Sequence, residues 1–305
     1  MSRTSNHHRS VTKAVSALAL LTLTAGALTA CSDQEPTAEH SPSTSTSSDA
    51  GEAATLHMID NGGHRVAFYV TPGDAQTIVL DSGGGEDASQ WKDLVPQIHE
   101  ATGATVMTYD RASLGKSDVV PGPWSVESAV SDLEAGLEQL GVTEDVTLVS
   151  HSQAGEIATY VANDNPGLLS AAILVDANLP QFFTDAEIAR LVAFSQPDVD
   201  AAREDPENPA NRQLISTADS FVATSAAFHQ LTWPDEVPVT VIVSEKTPFD
   251  GSPEDVQLWK DAASSFAQDG PNRTVVTAKG SSHEVPTDDP ALVLKEIETL
   301  FKAQH

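Results

Sequence analysis

Thr147-Leu-Val-Ser-His-Ser-Gln-Ala-Gly155 decides how this chain folds. An apolar strand runs into a sharp turn and then a helix, with Ser152 on the turn. A serine placed there is held in a strained backbone conformation that lifts its hydroxyl above the edge of a sheet. Strand and helix cross closely at such a turn, so the residues two before and two after must be small. Ser150 and Ala154 hold those places, with Gly155 next. The G-x-S-x-G pattern is therefore met with Ser and Ala where glycine is usual. A plain strand-to-helix turn without chemistry is the competing reading of this segment alone.

Outward from the turn, strands alternate with helices. Short β-rich runs are expected at Arg65 to Val70, Thr77 to Leu80, Thr105 to Tyr109, Val146 to Val149, Ala172 to Val175, Val237 to Val243 and Thr274 to Thr277. Most are near-continuous apolar runs, as strands buried on both faces of a parallel sheet require. Between them, Ser125 to Leu140 sets Val126, Ala129, Val130, Leu133, Leu137 and Leu140 on one helical stripe, and Gly141 supplies a stop. Pro290 to Phe301 repeats the stripe through Leu292, Leu294, Ile297 and Leu300. This alternation predicts an α/β fold, a three-layer sandwich around a mostly parallel sheet. The acidic stretch from about 180 to 231 breaks the rhythm and predicts a helical insertion, a lid. Its Phe182, Phe183, Phe194, Phe221 and Phe228 either line an acyl pocket or pack the lid onto the domain.

Two further segments bear on Ser152. Ser82-Gly-Gly-Gly85 follows an apolar strand, and its glycines let backbone N–H groups approach an anion. Tyr109-Asp-Arg-Ala-Ser-Leu-Gly-Lys-Ser-Asp118 follows the next strand. With these segments the chain resembles the α/β-hydrolase superfamily, whose members often carry Y-D-R-x-G-x-G-x-S-D here. The likeness extends over roughly residues 60 to 303, and Ser113 stands where glycine is more usual.

The resemblance implies Ser152 as nucleophile and His283, in Gly280-Ser-Ser-His-Glu284 after the last strand, as its base. Serine is barely ionised near neutral pH, and a histidine within hydrogen-bond reach takes its proton and returns it to the leaving group. It further implies an oxyanion hole from the N–H groups of Gln153 and Gly84. The acid stays open. Family members often place it after the seventh strand, where this chain has Thr247 in Ser244-Glu-Lys-Thr-Pro248. Asp176, ending Ile173-Leu-Val-Asp-Ala177, is the preferred candidate, because a strand-end carboxylate is rigid and shielded from water. Glu245 and Asp250 are the alternatives, and an absent acid is the last. His151 beside the nucleophile supports the site rather than acting as base. No histidine pair has metal-ligand spacing, and no metal or cofactor is expected.

The N-terminus reads as an address. Arg3, Arg9 and Lys13 precede an apolar run from Ala14 to Ala27, then Leu28-Thr-Ala-Cys31 resembles a bacterial lipoprotein cleavage box. Residues 1–30 are thus expected to be a signal peptide, with Cys31 carrying lipid at the extracytoplasmic face of a membrane. Residues 31–54 are a Ser/Thr/Pro-rich tether, and 55–305 form the hydrolase domain. The 305 residues carry 44 acidic against 16 basic side chains, a formal net of −28, which excludes nucleic acid as a main partner. A lone cysteine forms no intrachain disulfide. The expected activity is hydrolysis of an ester or related acyl bond in a small molecule. The competing expectations are an inactive ligand-binding protein on the same fold and a cofactor-free perhydrolase. The sequence sets no oligomeric state.

Overall fold

The computed structural model describes residues 54–249 and 252–304. The signal peptide, Cys31, nearly all of the tether and Asp250 lie outside these described residues. One eight-stranded sheet organises the rest: β1 (Thr55–Asn61), β2 (His64–Thr71), β3 (Ala75–Asp81), β4 (Ala104–Asp110), β5 (Val146–His151), β6 (Leu169–Val175), β7 (Val239–Ser244) and β8 (Arg273–Ala278). Their spatial order is β1-β2-β4-β3-β5-β6-β7-β8. β2 pairs antiparallel with β1 and with β4, and every other pairing is parallel.

The central strands are the expected apolar runs. Every residue of β5 and β7 is buried, because helices cover both faces of the sheet. On one face α2 (Val126–Gln139) and α3 (Ala154–Asp164) pack Val130, Leu133, Leu137, Ile157 and Val161 against Phe68, Val79 and Leu148. On the other, α1 (Val95–Thr102) and α8 (Pro290–Ala303) bury Ile98, Val293, Ile297 and Phe301 against Ile78, Leu80, Val149 and Ile173. Side chains close the helix starts: Ser125 accepts from the Ser128 N–H of α2, and Asp289 from the Leu292 N–H of α8. α3 has no such side-chain cap, leaving its N-terminus open at Ser152.

Between β6 and β7 the insertion is two helices, α4 (Asp185–Arg203) and α5 (Pro209–Phe228), packed on each other. α6 (Pro253–Gln268) and the short α7 (Val285–Asp288) flank the last strand and the turn after it. Two details differ from the sequence reading. β1 was not anticipated; it joins β2 through Gly62 and Gly63, both at positive φ, a two-residue hairpin turn. β7 begins at Val239 rather than Val237, since Pro238 has no N–H for the ladder, though its carbonyl accepts from Ala172.

Candidate active site

Three neighbouring strands end at one rim of the sheet, and each end carries a non-glycine residue in the left-handed region. Ser152 follows β5 at φ 54°, Asp176 follows β6 at φ 41°, and Thr247 lies three residues beyond β7 at φ 57°. Such backbone costs about 1–3 kcal/mol per residue and persists only where surroundings enforce it. Here Ser152 N–H donates to Val175 O (3.2 Å) and Asn178 N–H to Ser152 O (2.8 Å), binding the two turns to each other. Gly155 is where the crossing is tightest: a Cβ there would lie 2.4 Å from Asn178 O. Ser150 and Ala154, in the places where small residues were expected, are fully buried.

The rim brings Ser152, His283 and Asp176 into one hydrogen-bonded run. His283 Nδ1 lies 2.7 Å from Asp176 Oδ2, and Nε2 lies 2.8 Å from Ser152 Oγ. A carboxylate only accepts, so Nδ1 carries the proton and Nε2 offers its lone pair to the serine hydroxyl. Asp176 accepts four hydrogen bonds: Oδ1 from Ser244 N–H (2.8 Å) and Trp259 Nε1–H (2.9 Å), Oδ2 from Ser244 Oγ–H (2.7 Å) and His283. Burial works to raise its pKa, but the bonds from His283, Ser244 and Trp259 together hold it below the usual carboxylate value. All three side chains are buried, Ser152 at 1% exposure.

Glu245 is not part of this run. Its Oε2 accepts from Gly280 N–H (2.6 Å) and closes the turn before the histidine. Thr247, at the place where family members often keep their acid, donates its N–H to Ser244 Oγ (2.9 Å) and so braces the hydroxyl that holds Asp176.

The Gly83–Gly84 backbone passes directly over the turn that carries Ser152. A Cβ on Gly83 would lie 2.8 Å from His151 Nδ1, and one on Gly84 would lie 2.8 Å from Gln153 Oε1. Arg111 grips this loop. Its guanidinium pairs with Asp81 (2.7 Å) and donates to the carbonyls of Ser82 and Gly83. The Gly83 carbonyl and the Gly84 N–H belong to one trans peptide, so the grip turns that N–H away from the guanidinium. Gly83 N–H is occupied by Gln90 Oε1 (3.0 Å). Among the described residues, the N–H groups of Gly84 and Gln153 have no acceptor.

The rest of the Tyr109-to-Asp118 motif is architectural. Asp110 accepts from Tyr69 Oη–H (2.8 Å), Lys116 N–H (2.8 Å) and Ala88 N–H (2.9 Å). Asp118 accepts from Arg65 Nε–H and Nη2–H at the exposed surface. Ser113, the departure from glycine, sits at φ 71°, where its Oγ accepts from Val120 N–H (3.0 Å).

A family model described as the alpha/beta hydrolase family matches residues 78–296. The chain belongs to that family. Among curated proteins it is 32% identical over 103 residues to the uncharacterized protein YqjL of Bacillus subtilis, covering 34% of this chain and 40% of that one. It thus spans well under half of that relative's length. A non-heme chloroperoxidase of Streptomyces lividans is 21% identical over 264 residues, 76% of this chain and 94% of its own. Among solved structures, an esterase from Exiguobacterium antarcticum superposes with TM-score 0.60 at 16% identity, over 80% of this chain and 98% of its own. At that identity the likeness is one of fold.

Several residues at the α/β-hydrolase rim were not anticipated. Ser244 and Trp259 hold Asp176, yet Trp259 reads in sequence as one more apolar position of a helix. Glu156 on α3 is buried and accepts from Asn178 Nδ2–H (2.7 Å); burial pushes its carboxyl up to about 7. Of the insertion aromatics, Phe182, Phe183, Phe221 and Phe228 are buried. Phe182 packs on Trp259 (centroids 5.0 Å apart), which meets the His283 ring at 6.4 Å. Phe194 does not join them and is 51% exposed. Among the described residues no cluster of three His, Cys, Asp or Glu side chains converges as metal ligands would.

Proposed function

We propose that this α/β hydrolase is a serine hydrolase of ester or related acyl bonds. Ser152 Oγ attacks the carbonyl carbon while His283 Nε2 takes its proton. Asp176 orients the ring and balances the imidazolium charge that forms. The free N–H groups of Gly84 and Gln153, the latter at the uncapped start of α3, receive the negative charge on the carbonyl oxygen. His283 then returns the proton to the leaving alcohol, the acyl-enzyme forms, and a water activated by the same ring releases the acid. The observation that carries this reading is the run Ser152 Oγ, His283 Nε2, His283 Nδ1, Asp176 Oδ2, joined at 2.8 and 2.7 Å.

The α4–α5 insertion acts as a lid, with Phe182 and Phe183 on its inner side. Cys31 carries lipid after cleavage and anchors the domain outside the cytoplasmic membrane. Cys31→Ser should abolish lipid labelling and move the protein to the soluble fraction; an unchanged membrane fraction would refute the anchor.

A fluorophosphonate probe tests the chemistry. It should label the wild-type protein at Ser152 and leave Ser152→Ala unlabelled, and an unlabelled wild type would favour a ligand-binding protein instead. A second reading, peroxide-dependent acyl transfer on the same three residues, draws on the Streptomyces lividans relative named a chloroperoxidase. Peroxide consumption in the presence of a carboxylic acid separates it from simple hydrolysis.

A further inference from the structure

We propose that Gln90 and His151 are positioning residues, forming a hydrogen-bonded rail that ties the loop bearing the Gly84 oxyanion donor to the turn bearing the His283 base. The inference rests on the hydrolase reading above and adds two residues to it.

The rail has three links. Gln90 Oε1 accepts from Gly83 N–H (3.0 Å), and Gln90 Nε2 lies 3.0 Å from His151 Nδ1. His151 Nε2 lies 3.0 Å from the His283 carbonyl oxygen, which also accepts from Val285 N–H (2.9 Å). The chemistry of the ends fixes the middle. An N–H at one end demands the amide oxygen of Gln90, so its NH₂ must donate to His151 Nδ1. Nδ1 is then an acceptor. A carbonyl at the other end only accepts, so His151 Nε2 must carry the proton. Only the neutral Nε2–H tautomer satisfies every link.

The surroundings agree. His151 is 2% exposed, its ring stands 4.9 Å from that of His283, and Asp176 and Arg111 are the charged groups that bear on it. Burial, reinforced by the neighbouring His283, pushes its imidazole down to about 3, so the ring is neutral near neutral pH. The rail occupies Gly83 N–H while Arg111 holds the Ser82 and Gly83 carbonyls from the other side. Gly84 N–H is thereby left as the loop's donor for substrate. Pulling on either end of the rail moves the oxyanion donor relative to the base, which is why its loss should register in turnover rather than in substrate binding.

The test has a kinetic and a spectroscopic arm, both on the full chain, with p-nitrophenyl acetate as probe substrate. Gln90→Met removes both amide contacts and should lower kcat by about 10- to 100-fold with KM changed less than about threefold, a large part of the loss expected for an oxyanion donor. In the histidine ¹⁵N spectrum, His151 of the wild type should show an unprotonated Nδ1 that does not titrate between about pH 5 and 8, where a free imidazole does. Gln90→Glu should change this: an ionised carboxylate cannot donate to Nδ1, so wherever the new side chain is ionised the ring is protonated on both nitrogens. A wild-type His151 that titrates near 6.5, or carries its proton on Nδ1, overturns the rail. A Gln90→Met enzyme that melts earlier yet keeps kcat within about threefold reduces Gln90 to a structural role and overturns the proposal. If wild-type Ser152 takes no fluorophosphonate, the hydrolase reading itself has failed; if it does while Gln90→Met turns over normally, only the rail has.

Discussion

Asp176→Asn is the sharpest test of how this site works, because the four donors around the carboxylate dictate where the amide must go. Oδ1 accepts from two groups that can only donate, the Ser244 N–H and the Trp259 Nε1–H. An amide NH₂ turned that way would meet two N–H groups head-on, so the asparagine oxygen must stay there. The NH₂ then takes the Oδ2 position, 2.7 Å from both His283 Nδ1 and Ser244 Oγ. The serine hydroxyl can rotate to accept. His283 Nδ1 must also become an acceptor, which moves the ring's proton to Nε2 and leaves no lone pair facing Ser152. On the proposed mechanism this disables the base, while every contact that holds the turn survives. We expect kcat to fall by up to about 10⁴-fold, as when a triad aspartate becomes an amide, or about 5 kcal/mol of transition-state stabilisation. The urea midpoint should move little by comparison. Burst kinetics with an activated ester and urea melts at the same pH measure the two quantities. A loss of less than about tenfold, with the fold intact, would refute the assignment of Asp176 as the orienting acid.

Three other outcomes follow from the same geometry. Ser152→Ala and His283→Ala should each remove most of the activity and the double variant little more, since the two act as a unit; additive losses in kcat would mean separate roles. Trp259→Phe deletes one of the two donors to Asp176 Oδ1 and should cost about 1.5–3 kcal/mol in urea-induced unfolding, the range for a hydrogen bond to a buried charge; a cost below about 0.5 kcal/mol would show that Ser244 alone suffices. Glu156, raised from 4.5 to about 7 in the folded chain, keeps its proton while the unfolded chain loses it, so stability drains away as pH rises from 4.5 to 7. Glu156→Gln keeps an acceptor for Asn178 and should stabilise the protein at about pH 8 by up to about 3 kcal/mol and little at about pH 4.5; equal melting shifts at both would contradict this.

The architecture was legible because its central strands announce themselves: β5, β6 and β7 are near-continuous apolar runs, and the stripes of α2 and α8 show one clear face. β1 is harder to read because only Ile59 of its residues is buried, the rest being exposed or half-buried at the sheet margin, and its one strong signal is the Asn61-Gly62-Gly63 turn of the hairpin. Ser152 and His283 were legible from local motifs. Asp176 was harder to rank, since a strand-end aspartate is common without chemistry, and what distinguishes it comes from Ser244 and Trp259, 68 and 83 residues away. The same holds for the Gln90–His151 contact, which joins residues 61 apart with no motif between them. Long-range polar partners of this kind leave no periodicity for a sequence to display.

The insertion joins the sheet very close to the chemistry: Pro180, where it begins, is four residues past Asp176, and Asn178 lies halfway between. At that halfway point the backbone is clamped, Asn178 N–H to Ser152 O and Asn178 Nδ2–H to Glu156, while the carboxylate itself is moored to Ser244 and Trp259. Asn178 therefore works as a strain relief, like the grip on a cable before its terminal. The chain is thus tied to α3 and to the residue after β5 before it enters the insertion. Exchange of α4 and α5 for a shorter or longer segment should therefore leave the carboxylate in place, provided that Asp176-Ala-Asn178 and Phe182, which packs on Trp259, are kept.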